Sequence, residues 1–235
     1  GKNHDDEKHR ISRKKYFDWV AIYLKEKIHG ASDVMRDEIF DDIPKYRNGG
    51  VRILYPSIYP LPDGLKEGIL LEVGFDNVSP NQPKTITSWA FEKAKSNSKI
   101  SVKDNRARHV SCYEPQYTFV EKLQAIARKY RLFKEGKGTR AMPENFLRHY
   151  YDIYQLLDLP EVRAFIGTHT YESYKKERFK GDSTDLSRSE AFTLDNLAER
   201  SLFEKEYIRT SSLYYRGQPA FSDILTRIHD VLPTL

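Results

Sequence analysis

The 235-residue sequence has a single cysteine, Cys112. That excludes an internal disulfide and any zinc cage built from cysteines alone, and it fits a reducing compartment. The lone thiol, followed by Tyr113, reads as a packed residue. Long apolar runs are also missing. No stretch approaches the roughly 18 residues a bilayer span requires, and the opening GKNHDDEKHR has no apolar core of the sort that marks a signal peptide. With residue 1 taken as the start, a cytoplasmic protein without a membrane partner is expected. There is no internal repeat and no low-complexity tract. Charge asymmetry is slight, since 39 Lys and Arg against 34 Asp and Glu leave a formal +5.

Aromatic residues, by contrast, are plentiful: 16 Tyr and 12 Phe in a chain that is 39% hydrophobic and 31% charged. This is the composition of a water-soluble folded protein, long enough for one large domain or a compact domain with a smaller companion. Basic and aromatic residues interleave in KYRLFKEGKGTR (Lys129 to Arg140) and YKKERFKG (Tyr174 to Gly181). Such runs either neutralise phosphates and stack bases or are solvated helix ends. His4, Asp5, Asp6 and His9 have the chemistry of metal ligands, but no apolar frame around them fixes their geometry, which argues against a metal site.

Periodicity locates the secondary structure. Phe17, Val20, Leu24 and Ile28 recur at three- and four-residue spacing and predict a helix over Ser12 to Ile28, stopped by His29-Gly30. VRILYPSIY, which follows Asn48 to Gly50, and GILLEVGFD (Gly68 to Asp76) read as an antiparallel strand pair joined through Pro62, Asp63 and Gly64. In the second strand, alternation puts Ile69, Leu71, Val73 and Phe75 on one face and Leu70, Glu72, Gly74 and Asp76 on the other. Burying an unpaired charge is costly, so Glu72 is either a site residue or the partner of an arginine such as Arg52. SPNQP and SNSK read as loops flanking a short helix, TSWAFEKAK.

From Tyr117 onward the pattern is helical. Thr118 and Glu121 form a capping box, and Val120, Leu123, Ala127 and Tyr130 continue the apolar stripe. Pro143 opens the next helix, whose core face is Phe146, Tyr150, Ile153 and Leu157, and Pro160 ends it. Arg148 and Asp152 share a second stripe one turn apart. Further helices are expected over Glu161 to Ile166, Tyr171 to Phe179, Leu194 to Tyr207 and Phe221 to Leu232. Taken alone, Lys122 and Asp152 read first as a cross-helix ion pair.

NGGVRILY, GILLEVGFD, YTFVEKLQAI and RHYYDIYQLL, in that order, resemble the AbiEii/AbiGii-type nucleotidyltransferase family, the toxin side of a class of bacterial toxin–antitoxin and abortive-infection systems. The resemblance runs through most of the chain to SSLYYRGQP. Its most specific part is a pair of helical motifs: a lysine after glutamate in the first and an aspartate preceded by tyrosine in the second. It implies an α+β chain. A partial minimal nucleotidyltransferase fold, with a small mixed sheet backed by helices, would occupy residues 1–158, and a C-terminal helical bundle residues 159–235. It also implies transfer of a nucleotide from a nucleoside triphosphate to an acceptor, RNA such as a tRNA, with Mg2+, and a cognate antitoxin protein as partner.

Carried over residue by residue, Lys122 matches the motif lysine and Asp152 the aspartate of the Tyr-Asp motif, while Glu72 matches the strand carboxylate and would ligate the metal. Magnesium takes carboxylate oxygens together with waters and substrate phosphates. A lysine beside the triphosphate meets developing negative charge, and an aspartate on the next helix orients that lysine or a nucleophile. Arg148, one turn before Asp152, would hold its carboxylate or bind a nucleotide phosphate. His149 reads as a hydrogen-bonded surface residue outside the site.

One family motif is missing. A Gly-Gly or Gly-Ser loop followed by Asp-x-Asp does not occur, because no two aspartates stand two positions apart, and Gly49-Gly50 leads into a strand whose charged member is arginine. The chain is therefore expected to begin downstream of that motif or to come from a member that lost it, and as it stands not to transfer nucleotides efficiently. Two readings stay open. In one, the parent protein is a nucleotidyltransferase whose basic-aromatic segments near Lys129 and Lys175 hold the acceptor. In the other, the chain is a binding module that keeps the fold and uses the same surface for RNA or an antitoxin.

Overall fold

The computed structural model describes residues 6–61, 66–76, 80–136, 142–143, 146–180, 182–214 and 217–235. His4, Asp5 and the Pro62 to Gly64 turn lie outside these residues. The chain divides into two compact units, one ending at Asn77 and one beginning at Val78.

In the first unit, helix α1 (Glu7–Lys27) is followed by strands β1 (Asp33–Asp37), β2 (Asn48–Leu54) and β3 (Ile69–Gly74). The strands form one antiparallel sheet in the order β1-β2-β3, so the predicted pairing of the second and third is present. The apolar stripe of α1 turns Phe17, Val20 and Ala21 inward, and Val20 and Ala21 cluster with Val34, Val51 and Ile53 of the sheet, with Leu24 and Ile28 at the margin. The helix begins at Glu7, a turn before the stripe predicts, because polar residues extend it without needing a core.

Strand β1 gave no sequence signal: DVMRD is short and mostly charged. Its Arg36 donates to Gly50 O and to Asp18 on α1, and pairs with Asp41, so the buried face of the strand carries a guanidinium as well as Val34. The side chain of Asp41 is only 2% exposed. Gly49 and Gly50 lie within β2 for packing reasons. A Cβ on Gly49 would fall 2.7 Å from the Phe17 ring, and one on Gly50 would fall 2.8 Å from the Asp37 carbonyl and 3.0 Å from Phe40.

The second unit opens with β4 (Asn81–Ile86), α2 (Trp89–Lys95) and β5 (Ala107–Tyr113), the two strands pairing antiparallel. Residues Asn81 to Pro83 of the expected SPNQP loop are therefore strand. Pro83 is tolerated because both strands of a two-stranded sheet are edges, where a missing N–H breaks no ladder. The helices follow: α3 (Pro115–Glu135), α4 (Arg148–Leu156), α5 (Pro160–Phe165), α6 (His169–Arg178), α7 (Glu190–Thr193), α8 (Leu197–Ile208) and α9 (Phe221–Val231).

Two predicted boundaries move. Helix α3 begins at Pro115, a residue suited to the first helical position, so Thr118 lies inside the first turn, bonding back to Glu114 O; there is no capping box. Helix α4 begins at Arg148, five residues after Pro143, and Pro160 starts α5 as well as following the end of α4. One apolar core runs through this unit from Phe119 to Leu235, so the boundary expected at residue 158 falls within it. Its centre is aromatic: Phe203 packs edge-on against Tyr130, Phe146 and Tyr150, and Tyr150 against Phe221. The Tyr150 hydroxyl donates to Ala191 O at 2.6 Å. Among the described residues no helix is long and apolar enough to cross a membrane.

Candidate active site

Helices α3 and α4 pack through Phe119, Leu123 and Ile126 on one side and Tyr150 and Ile153 on the other, all fully buried. A helix turns about 100° per residue, so a residue next to a core position stands at the rim of the contact. Lys122 is next to Leu123, and Asp152 is next to Ile153. The two rims meet: Lys122 Nζ lies 2.7 Å from Asp152 Oδ2, with the side chains 30% and 31% exposed.

Three further groups join this pair. His149 Nδ1 lies 3.8 Å from Asp152 Oδ2, too far for a hydrogen bond, and the buried nitrogen has no hydrogen-bond partner among the described residues. Burial lowers the imidazole pKa below 6.5; Asp152 opposes this, and Lys129 and Lys122 add to it. The ring is therefore neutral at pH 7. Burial raises the Asp152 pKa, but His149 and Lys122 outweigh it and the net shift is downward, so the carboxylate is charged. Tyr214 presents a buried hydroxyl without a hydrogen-bond partner among the described residues; burial raises its pKa, Arg148 lowers it and Asp152 raises it. Arg148 itself is exposed at the first position of α4.

The site is thus a half-open patch in which Lys122, His149, Tyr214 and Arg148 gather around the Asp152 carboxylate. It is suited to a polyanion that reaches it from solvent. Sequence reasoning left out two of its members. His149 is half-buried rather than a surface residue, and the signal that could have found it was its spacing of three from Asp152. Tyr214 lies sixty-two residues from Asp152 and gave no local sign.

Glu72 is exposed on β3, in the first unit, across from Gly50. The alternative that it pairs with Arg52 is not what forms, because Arg52 is bound to Asp37 at 2.6 Å and to Glu67 O. Asp37 is the carboxylate in line with Glu72 across the sheet, through Gly50, and that ion pair occupies it. Among the described residues no three His, Cys, Asp or Glu side chains gather as metal ligands. These residues do not by themselves make a magnesium cage, although Glu72 is free to give one oxygen of the few that Mg2+ takes from protein.

The two basic-aromatic runs are largely used in packing. Lys175 is buried, its amine 3.1 Å from Glu172 and over the Tyr171 ring. Arg178 and the Tyr174 hydroxyl both bind Glu121. Arg131 pairs with Asp182, Lys134 with Glu199 and Glu190, and the Tyr130 hydroxyl with the same two glutamates. These pairings take Arg131, Lys134, Lys175 and Arg178 away from any phosphate surface, while Lys176 and Lys180 stay exposed; residues 137–140 and Gly181 of these runs lie outside the described residues.

No curated protein and no solved structure gives a significant match to the chain. A family model does, described as the nucleotidyl transferase AbiEii toxin of type IV toxin–antitoxin systems, and it matches residues 17–227. The match spans both units and takes in the α1 stripe, the Glu72 strand and the Lys122–Asp152 pair. With a match that runs through nearly the whole of an α+β chain, the chain belongs to the AbiEii nucleotidyl transferase toxin family.

Proposed function

We propose that this protein transfers a nucleotide from a nucleoside triphosphate to an acceptor RNA, such as a tRNA, in the bacterial cytoplasm, and acts there as a growth-inhibiting toxin held in check by its antitoxin. The observation that carries this reading is the 2.7 Å contact between Lys122 and Asp152 at the two positions that match the family's helical motifs. An ion pair open to solvent, with the exposed Arg148 one turn before Asp152, is placed to receive a phosphate chain.

In the reaction, an acceptor hydroxyl oxygen attacks the α-phosphorus, the bond to pyrophosphate breaks, and the hydroxyl proton is lost. Lys122 Nζ stands against the phosphate oxygens, where charge builds as pyrophosphate leaves. Asp152 holds that amine in place, and Arg148 binds a phosphate at the exposed edge. Nucleotidyltransferases generally work with a divalent metal, and Glu72 would contribute a carboxylate to Mg2+.

The test is incubation of the protein with α-labelled nucleoside triphosphates, magnesium and total RNA. Slow labelling of RNA is expected from the wild type, because the 235 residues hold no Asp-x-Asp pair, and a further loss on the order of 100-fold or more from Lys122→Ala and Asp152→Ala. No labelling by the wild type, or equal labelling by the variants, would sink the enzymatic reading. The second reading, a binding module for RNA or antitoxin, draws on the lack of any Asp-x-Asp pair in the 235 residues; it predicts retained binding without labelling.

A further inference from the structure

With the two expected basic-aromatic runs spent on packing, the same chemistry recurs, exposed, on α1. The outer face of this helix carries Tyr16, Trp19 and Tyr23, which are 43%, 52% and 44% exposed. Their rings form a ladder, with Tyr16 and Trp19 centroids 5.8 Å apart and Trp19 and Tyr23 5.1 Å apart, both stacked. Lys27 lies over the Tyr23 ring at one end. At the other end, Tyr16 meets Phe75 edge-on and enters a groove of about 750 Å³ lined also by His9, Ser12, Arg13, Arg47 and Asp76. Arg13 fixes the wall of this groove by donating to Lys45 O and Tyr46 O.

Charge is concentrated on the same helix. Its 21 residues hold seven Lys and Arg against three carboxylates, an excess of four in a chain whose whole excess is five. Two of the seven are paired, Lys14 with Asp18 and Lys25 with Asp33. Lys8 and Lys15 make no ion pair among the described residues, and with Glu7, Ile11 and Ser12 they line a second hollow beside the ladder.

We infer that this face of α1 binds single-stranded nucleic acid, bases stacking on the exposed parts of the Tyr16, Trp19 and Tyr23 rings and phosphates following Lys8, Lys15 and Lys27. Ile11 and Ile22 of α1 are exposed as well, but Lys8, Lys15 and Lys27 accompany the stacked aromatic row, the pairing that single-strand binders use. From Ser12 to Tyr23 the helix rises about 16 Å, enough for a short run of nucleotides. The surface belongs to the first unit and the Lys122–Asp152 pair to the second. The inference does not rest on nucleotide transfer.

The test is fluorescence anisotropy of end-labelled 12-mers, oligo(U) and oligo(dT), titrated with the full chain in the absence of nucleoside triphosphates. Trp19→Ala and Tyr23→Ala are each expected to weaken binding about tenfold, the effect of losing one stacked base, with unchanged circular dichroism because both side chains are exposed. Lys8→Glu with Lys15→Glu is expected to lower the slope of log affinity against log salt by about 0.7 per contact. Binding that is indifferent to the aromatic substitutions, or a duplex bound as tightly as the single strand, would overturn the inference. So would a dimer in sedimentation equilibrium that Trp19→Ala dissociates, since the face would then belong to a second copy. Failed labelling with intact oligonucleotide binding leaves this inference standing and removes the transfer reading; the converse result removes only this one.

Discussion

Replacing Asp152 separates a structural ion pair from a working one. Its contact with Lys122 is short, but both side chains are about a third exposed, so water screens the pair and its contribution to stability is about 0.2–1 kcal/mol. In a protein of this size, 1 kcal/mol moves the melting temperature by about 2–4 °C. A double-mutant cycle of Lys122→Ala, Asp152→Asn and the pair, followed by urea denaturation, should therefore give a coupling below about 1 kcal/mol. If the amine works on phosphate charge and Asp152 positions it, transfer should fall on the order of 100- to 1000-fold, equivalent to roughly 2.7–4 kcal/mol. That is several times the stability cost. A third readout follows from His149, whose imidazole Asp152 holds up against burial and two lysines. In Asp152→Asn, the His149 pKa read by NMR should drop further below 6.5. A coupling of about 3 kcal/mol or more would make the pair a buried brace and refute the reasoning, as would full transfer activity in the variant.

Other outcomes follow from packing and titration. Arg36→Leu leaves Asp41 without its buried partner and should cost about 3–5 kcal/mol, largely recovered by adding Asp41→Asn; urea melts of the two variants check this. Gly49→Ala would push a Cβ into the Phe17 ring and the Asp41 carboxylate and should destabilise by about 1–3 kcal/mol, seen as a lower denaturation midpoint. Tyr150→Phe removes the hydroxyl that satisfies Ala191 O in a dry core and should cost about 1–3 kcal/mol by the same measurement. His149 has a folded pKa below its unfolded value. Its contribution is thus fully present above about pH 6.5 and is lost as pH falls from there through the folded pKa. Wild type should lose stability relative to His149→Gln between pH 7.5 and 5.5, a window clear of Asp152, which titrates below 3.8.

The legible parts of the fold were those where packing imposes a period. Phe17, Val20 and Leu24 announce α1, and Tyr150, Ile153 and Leu157 announce the buried face of α4, because a helix against a core must repeat its apolar residues. Strands β2 and β3 show because their apolar residues run nearly unbroken. Strands β1, β4 and β5 do not: DVMRD, NQPKTI and ARHVSCY bury few side chains, so little in them alternates. In the candidate site, Lys122 and Asp152 were visible through motif resemblance. Their contact depends on α3 and α4 packing, which no local pattern states. The basic-aromatic runs misled because a sequence shows cations without their partners: Glu172, Glu190 and Glu199 lie on α6, α7 and α8, and Glu121 on α3 is taken up by α6.

Glu121 and Lys122 are neighbours in sequence and diverge in space. Glu121 reaches back to Arg178 and the Tyr174 hydroxyl on α6, while Lys122 reaches across to Asp152 on α4. The buried stripe of Phe119, Leu123 and Ile126 fixes how far α3 is turned about its own axis, and two adjacent side chains about 100° apart on that helix are thereby aimed at different neighbours. The Glu-Lys dipeptide is a fork: one prong ties α3 to α6, and the other is presented to solvent and to α4. Asp152→Glu would lengthen the partner of one prong without changing its charge and leave the other as it is.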